Sequence, residues 1–168
     1  MGGAELCSDK DGSIQNHCVM PIVMQTPQSQ ITAEFNSQYD KRVRQVAIDT
    51  LTYVGEACVT EARNNGRYKD QTGNLRSSIG YVVVDNGRIV QQGASQKFLE
   101  GTQGETEGVR YSRDLAAEVG KGIALIVVAG MEYAVYVEAR GLNVLSSAEL
   151  LAERLVPQML RAVGFTIK

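Results

Sequence analysis

Val43, Ala47, Leu51, Val54, Cys58 and Ala62 recur at steps of three and four residues between about Ser37 and Asn64. At 3.6 residues per turn they fall in a stripe about 100° wide, and Arg42, Gln45, Asp49, Thr52, Glu56 and Thr60 fall on the other side. Helical stability of this kind comes mostly from burying the apolar face, so the rest of the chain must supply a cover for it. Asn64-Asn65-Gly66 predicts the helix end, because Asn and Gly accept the left-handed geometry of a C-cap. Gly55, which costs about 1 kcal/mol relative to Ala inside a helix, is consistent with close packing there.

The cover is expected from a small sheet. Tyr81-Val82-Val83-Val84-Asp85 and Arg88-Ile89-Val90-Gln91-Gln92 flank Asn86-Gly87, the pattern of a two-residue type I′ hairpin. Asp85 and Arg88 would then face each other across the turn. Gly122 to Ala129 is apolar on both faces and predicts a central strand covered on each side. Met131 to Glu138 is ambiguous: Tyr133 and Tyr136 suit a helical turn, whereas Tyr133, Val135 and Val137 alternate as in a strand. From about Ser147 to Val163 a second apolar stripe (Ala148, Leu151, Ala152, Leu155, Met159, Ala162, Val163) predicts a helix capped by Ser147, with a kink or break at Pro157. Before the hairpin, Thr72 is expected to cap one short helical turn that points Leu75 and Ile79 the same way.

The expected fold is therefore α+β: a small antiparallel sheet of three to four strands packed against two amphipathic helices that share one side. Residues 31–168 form one domain. Residues 1–30 read as a flexible arm, in which Pro21-Ile22-Val23-Met24 is either a short edge strand or more of the arm, and Pro27 with the Gln/Ser-rich stretch after it is a linker. Residues 93–113 carry four glycines and little apolar content, and read as a long inserted loop. A short helix is expected at the end of that loop, from Ser112 to Val119, and a long β-hairpin arm over 94–111 is the alternative to the loop.

With 168 residues, 43% hydrophobic and 21% charged, the chain is long enough to bury one core and ordinary for a globular domain. Its net charge of −2 argues against a global nucleic-acid footprint. Three scattered cysteines, Cys7, Cys18 and Cys58, make no disulfide framework, and Cys58 belongs to the apolar stripe as a small buried hydrophobe. No secretory signal opens the chain, and the run Ile123 to Gly130 is far too short to span a bilayer, so synthesis is expected in the cytoplasm without a membrane partner.

Residues suited to chemistry are sparse. His17, the single histidine, lies in the expected arm, where nothing would fix it against a partner. Nucleophile-elbow, Walker and zinc-peptidase patterns are absent, as is metal-ligand spacing, so no cofactor or metal is expected. Gly101 to Gly108 lacks lysine and carries two glutamates that would repel a phosphate. An enzymatic reading would have to rest on Asp70, Glu138 or Asp114, with no nucleophile–base pair beside them. Three basic groupings stand out: Lys41, Arg42 and Arg44; Arg63 to Lys69; and Arg110 with Arg113. They read as solvated faces or, more sharply, as contacts to DNA, through sequence-independent phosphate pairing, or to an acidic neighbour.

Two segments carry a resemblance. Thr72-Gly73-Asn74-Leu75-Arg76-Ser77-Ser78-Ile79, directly after a long amphipathic helix, resembles the signature of the phage tail-component family of lambdoid-type long-tailed phages. Glu132-Tyr133-Ala134-Val135-Tyr136-Val137-Glu138, followed by Gly141 and an amphipathic C-terminal helix, resembles it too, and with the element order the likeness covers about residues 38–163. It implies a non-enzymatic structural protein of the virion, assembled in the bacterial host cytoplasm. Such a subunit completes the tail or joins it to the head as a hexameric or dodecameric ring, against other neck, connector or tail-tube proteins. A tail terminator is the alternative within the same setting, and a prophage-encoded protein-binding module the alternative outside it. The chain departs from the family pattern in its longer N-terminal arm, its larger 93–113 segment, and Ala139-Arg140 where an aromatic-glycine pair is expected.

Overall fold

The structure, a computed structural model, describes residues 27–93 and 98–166. Its elements in chain order are helices α1 (Gln28–Asn65) and α2 (Asn74–Ser77), strands β1 (Ile79–Asp85) and β2 (Arg88–Gly93), helix α3 (Thr102–Glu118), strand β3 (Ile123–Ala129), and helices α4 (Ala134–Ala139) and α5 (Ser146–Ala162). The fold is α+β with a three-stranded antiparallel sheet in the order β2-β1-β3.

Strand β1 is the centre of the sheet, and its side chains alternate between two cores as a period of two requires. Ile79, Tyr81 and Val83 join Val54, Cys58, Ala62, Leu75 and Ala148 in the larger core, between the sheet and the helix pair α1–α5. Val82 and Val84 face the other way, against Ala116, Val119 and Ile126. The apolar stripe of α1 is thus buried as its spacing demands: Val54, Cys58 and Ala62 are inaccessible and Val43, Ala47 and Leu51 half-buried. The Cys58 thiol donates to the Ala148 carbonyl at 3.5 Å, and burial, then the nearby Glu61, push its pKa up.

Gly55 marks a close approach. A Cβ there would lie 2.4 Å from Tyr81 Cδ2, and one at Gly93 would lie 1.8 Å from Tyr81 Cε1. The Tyr81 ring therefore fills the space that two glycines leave open, and its hydroxyl donates to Glu56 Oε1 at 2.8 Å. Burial, reinforced by that carboxylate, raises the Tyr81 pKa.

The hairpin turns at Asn86 and Gly87 with positive φ at both (51° and 77°), as type I′ requires. Asp85 is paired with Arg88 in the ladder, and its carboxylate takes the Arg44 guanidinium at 2.8 Å. Asn86 clasps the start of β3 through two hydrogen bonds with Gly122.

Several expectations are corrected. Residues 102–118 form α3 and not a loop or a hairpin arm, and the short helix expected from Ser112 is its C-terminal part. The helix packs with Gly104, Gly108, Ser112 and Ala116, a face of small residues repeating every four positions, so no bulky apolar period betrays it. Because α3 covers the second face of the sheet, the helices lie on both sides and not on one. Strand β3 is an edge strand, since β1 takes both partners. The stretch after Pro27 is helical from Gln28, so the expected linker is the first part of α1. Gly66 is extended (φ −61°, ψ 120°), because the chain turns directly onto Tyr68 instead of folding back in a left-handed cap. Pro157 sits inside an α5 that continues past it to Ala162; the helix neither breaks nor restarts there. The ambiguous 131–138 segment resolves as the short helix α4. The expectations for the arm before residue 27, with His17, Cys7 and Cys18, lie outside the described residues. Among the described residues no helix is long and apolar enough to cross a membrane.

Candidate functional site

The first motif segment works as a clasp. Gly73 takes the left-handed conformation (φ 75°), and a Cβ on it would lie 2.0 Å from the Phe98 carbonyl oxygen, so the 98–101 turn rests directly on it. Thr72 is not the cap expected of it: Gly73 occupies that position, and the Thr72 hydroxyl only accepts a long bond (3.4 Å) from the Asn74 N–H. Asp70 serves instead, accepting from the Arg76 N–H at 2.9 Å. The Asn74 side chain accepts from the Gly104 N–H at 3.2 Å and ties down the start of α3. Leu75 is buried in the core. The Arg76 guanidinium lies 5.6 Å from the Tyr68 ring centre and 5.2 Å from that of Phe98, in cation–π range of both. Ser77 accepts from the Phe98 N–H at 2.8 Å.

The second motif segment holds the start of α5. Glu138, at the end of α4, accepts from the N–H groups of Val144 (2.6 Å) and Leu145 (2.7 Å) and from the Ser146 hydroxyl. The Leu145 N–H, at the cap of α5, is a donor that a helix N-terminus leaves without an intrahelical partner. Burial alone would raise the Glu138 pKa, but the bonds from Ser146, Leu145 and Val144 outweigh it and hold the carboxyl below its ordinary value. Ser147, the expected cap, does not act as one: its own N–H donates to Asn143 Oδ1 at 2.9 Å, and its hydroxyl has no partner. Gly141 takes a positive φ of 73° and donates to the Glu138 carbonyl. Ala134 is buried and Val137 half-buried against the core.

The two segments meet. Tyr68, Asp70, Thr72 and Leu75 line one shallow pocket with Tyr133 and Val137. Tyr68 is pushed up by burial despite Arg76 beside it, and Tyr133 by burial and then by the charge of Asp70. Of the carboxylates weighed for an enzymatic role, Asp70 and Glu138 are engaged by backbone N–H groups, and Asp114 is exposed on α3. Among the described residues no three His, Cys, Asp or Glu side chains gather as metal ligands.

The basic residues are divided. Arg44 is taken by Asp85 and Arg110 by Glu107 at 2.6 Å, which neutralises two of those singled out in the sequence. Lys41, Arg42 and Arg113 are exposed, and among the described residues none of them forms an ion pair. Arg63 is turned inward, donating to the Ile79 carbonyl at 2.7 Å.

Two apolar surfaces were missed by reading the sequence. The first is a groove of about 600 Å³ between α3 and α4, lined by Tyr111, Leu115, Val127, Val135, Ala139 and Leu145. On its rim Val135 is 72% exposed, and Tyr136, next to it on α4, is 73% exposed. The second is the outward face of α1, where Ile31, Phe35, Tyr39, Val46 and Tyr53 lie open, the Phe35 and Tyr39 rings stacked 6.5 Å apart. Their four- and seven-residue spacing was the available signal. Compared with protein-family models, curated proteins and solved structures, the chain finds no match in any of the three.

Proposed function

We propose that this chain is a non-enzymatic structural subunit of a tailed-phage virion, which forms a ring in the neck and completes the tail or joins it to the head. The reading starts from the likeness of the 72–79 and 132–141 segments to the phage tail-component family. One observation carries it further. Polar groups in and beside the two segments are spent on the fold itself, Asn74 on α3, Asp70 on the Arg76 backbone and Glu138 on the α5 start. Meanwhile Val135 and Tyr111 stand open around an apolar groove, and Tyr136, next to Val135 on α4, is open to water as well. A frame locked by its polar residues, with large apolar side chains facing water, suits burial against other protein copies rather than turnover of a small molecule. A head-to-tail contact at such a groove closes a ring when its rotation divides a circle.

Native mass spectrometry of the full chain, with electron microscopy of the same sample, tests this. A closed ring of many copies is expected, and loss of the chain from the phage that encodes it should leave unjoined heads and tails. A chain that stays monomeric alone and with its neighbours, or normal particles without it, would overturn the reading.

A further inference from the structure

The outward face of α1 is nearly palindromic. At 100° per residue, Ile31, Phe35, Tyr39, Arg42, Val46, Asp49, Tyr53, Ala57 and Thr60 fall within an arc of about 80°. This face points away from the core: Phe35 is 68% and Tyr39 and Tyr53 each 60% exposed. Counted from Val46, Tyr39 lies as far toward the N-terminus as Tyr53 lies toward the C-terminus, and Phe35 as far as Ala57. Arg42 and Asp49, of opposite charge, lie one turn to either side of Val46. Neither forms an ion pair among the described residues; Asp49 accepts only from the Gln45 amide of its own helix, at 2.8 Å.

We infer that α1 is the pairing surface for a second copy of this chain, packed antiparallel about a two-fold axis at Val46. In that arrangement Val46 meets its symmetry mate and Tyr39 of each copy covers Tyr53 of the other. Phe35 seats over Ala57, and Arg42 faces Asp49 twice, once on each side of the axis. Charge complementarity selects this partner and this direction. A parallel pairing in register would set Arg42 against Arg42 and Asp49 against Asp49, whereas the antiparallel one turns both repulsions into attractions. A two-fold contact uses the same patch on both copies, which a palindromic face satisfies.

A second observation agrees. Every residue from Gln28 to Arg42 is exposed, so roughly 22 Å of helix stands clear of the core at 1.5 Å per residue. An isolated helix of about 15 residues is marginal in water, and a partner helix along its apolar side supplies what the domain does not. The contact is independent of the neck reading; added to a closed ring, it would stack two rings face to face.

The test uses the full chain with Cys7→Ser and Cys18→Ser, since Cys58 is inaccessible. Val46→Cys should oxidise to a disulfide-linked dimer on its own. Phe35→Cys should fail to link to itself, yet link to an Ala57→Cys chain mixed with it. In sedimentation equilibrium Arg42→Asp should weaken dimerisation at least about tenfold, Asp49→Arg likewise, and the double variant should restore it. All these positions except the half-buried Ala57 are exposed, and circular dichroism of each variant confirms that the domain is intact. Self-linking at Phe35→Cys, a monomeric parent chain, or charge reversals that do not rescue each other would overturn the pairing. So would a Val46→Cys side chain that links to Cys7 or Cys18 of its own chain when those are kept, which would make residues 1–26 the cover.

Discussion

Gly108 sits in the middle of α3, where helix propensity alone says that alanine would stabilise the protein by about 1 kcal/mol. Its surroundings say the opposite. A Cβ at Gly108 would lie 2.6 Å from the Ser78 carbonyl oxygen and 3.1 Å from the Ser78 Cα and carbonyl carbon, all backbone atoms that cannot rotate away. On another side, Gly130 is so near that a Cβ on it would fall 2.5 Å from Gly108 Cα. Helix α3 must therefore move outward, loosening Ala116 and Val119 from Val82 and Val84. Overpacking of this kind costs about 1–3 kcal/mol, and contacts with backbone on two sides place it near the upper end. Subtracting the propensity gain leaves Gly108→Ala less stable by about 2 kcal/mol, or roughly 4–8 °C in Tm for a chain of this size. Gly104→Ala should cost more, because its Cβ would lie 1.9 Å from the Asn74 carbonyl oxygen, whereas Gly120→Ala, with open space around it, should be neutral. Chemical denaturation followed by circular dichroism ranks the three. A Gly108→Ala chain as stable as its parent, or more so, would refute the seating of α3 on the Ser78 backbone.

Other perturbations test the remaining contacts. Glu138→Ala removes three accepted hydrogen bonds from the α5 start, partly replaced by water, and should cost about 1–2 kcal/mol in denaturant midpoint at neutral pH. Because the folded pKa of Glu138 is depressed, its contribution is fully present above the ordinary value of 4.5 and fades as pH falls through the lower folded value. The gap between parent and Glu138→Gln should close over that acid range, and a gap independent of pH would count against the cap. Gly87→Ala forces a Cβ into a left-handed turn position (φ 77°) and 3.2 Å from the Val119 carbonyl, and should cost about 1–2 kcal/mol by thermal melting. Arg44→Ala breaks an ion pair whose arginine is half exposed, and should change stability by less than about 1 kcal/mol in the same assay.

What could be read from the sequence follows the kind of signal each element leaves. The stripe from Val43 to Ala62, the Asn86-Gly87 turn and the Leu75–Ile79 pair were legible because bulky apolar side chains and φ-specific residues announce themselves by spacing. The sheet order was not: Ile123 to Ala129 is as apolar as a central strand, and only pairing on both edges of β1 puts it outside. Helix α3 was legible only from Ser112 onward, for a different reason. Its packing face is periodic in size and not in hydropathy, so the first half of the helix, with Gly104 and Gly108, reads as a loop to any scale that rewards greasy side chains.

The outward face of α1 poses the converse question. Arg42 and Asp49 interrupt it, and a stripe broken by charges is ordinarily taken as solvated. Exposed charges mark a wetted face only when nothing opposes them; in the antiparallel pairing we propose, Arg42 and Asp49, four residues before and three after Val46, would each face the other in a second copy. Symmetry within one helix face is therefore a signal separate from hydropathy, and in this chain it is strongest where the apolar count is weakest, between Tyr39 and Tyr53.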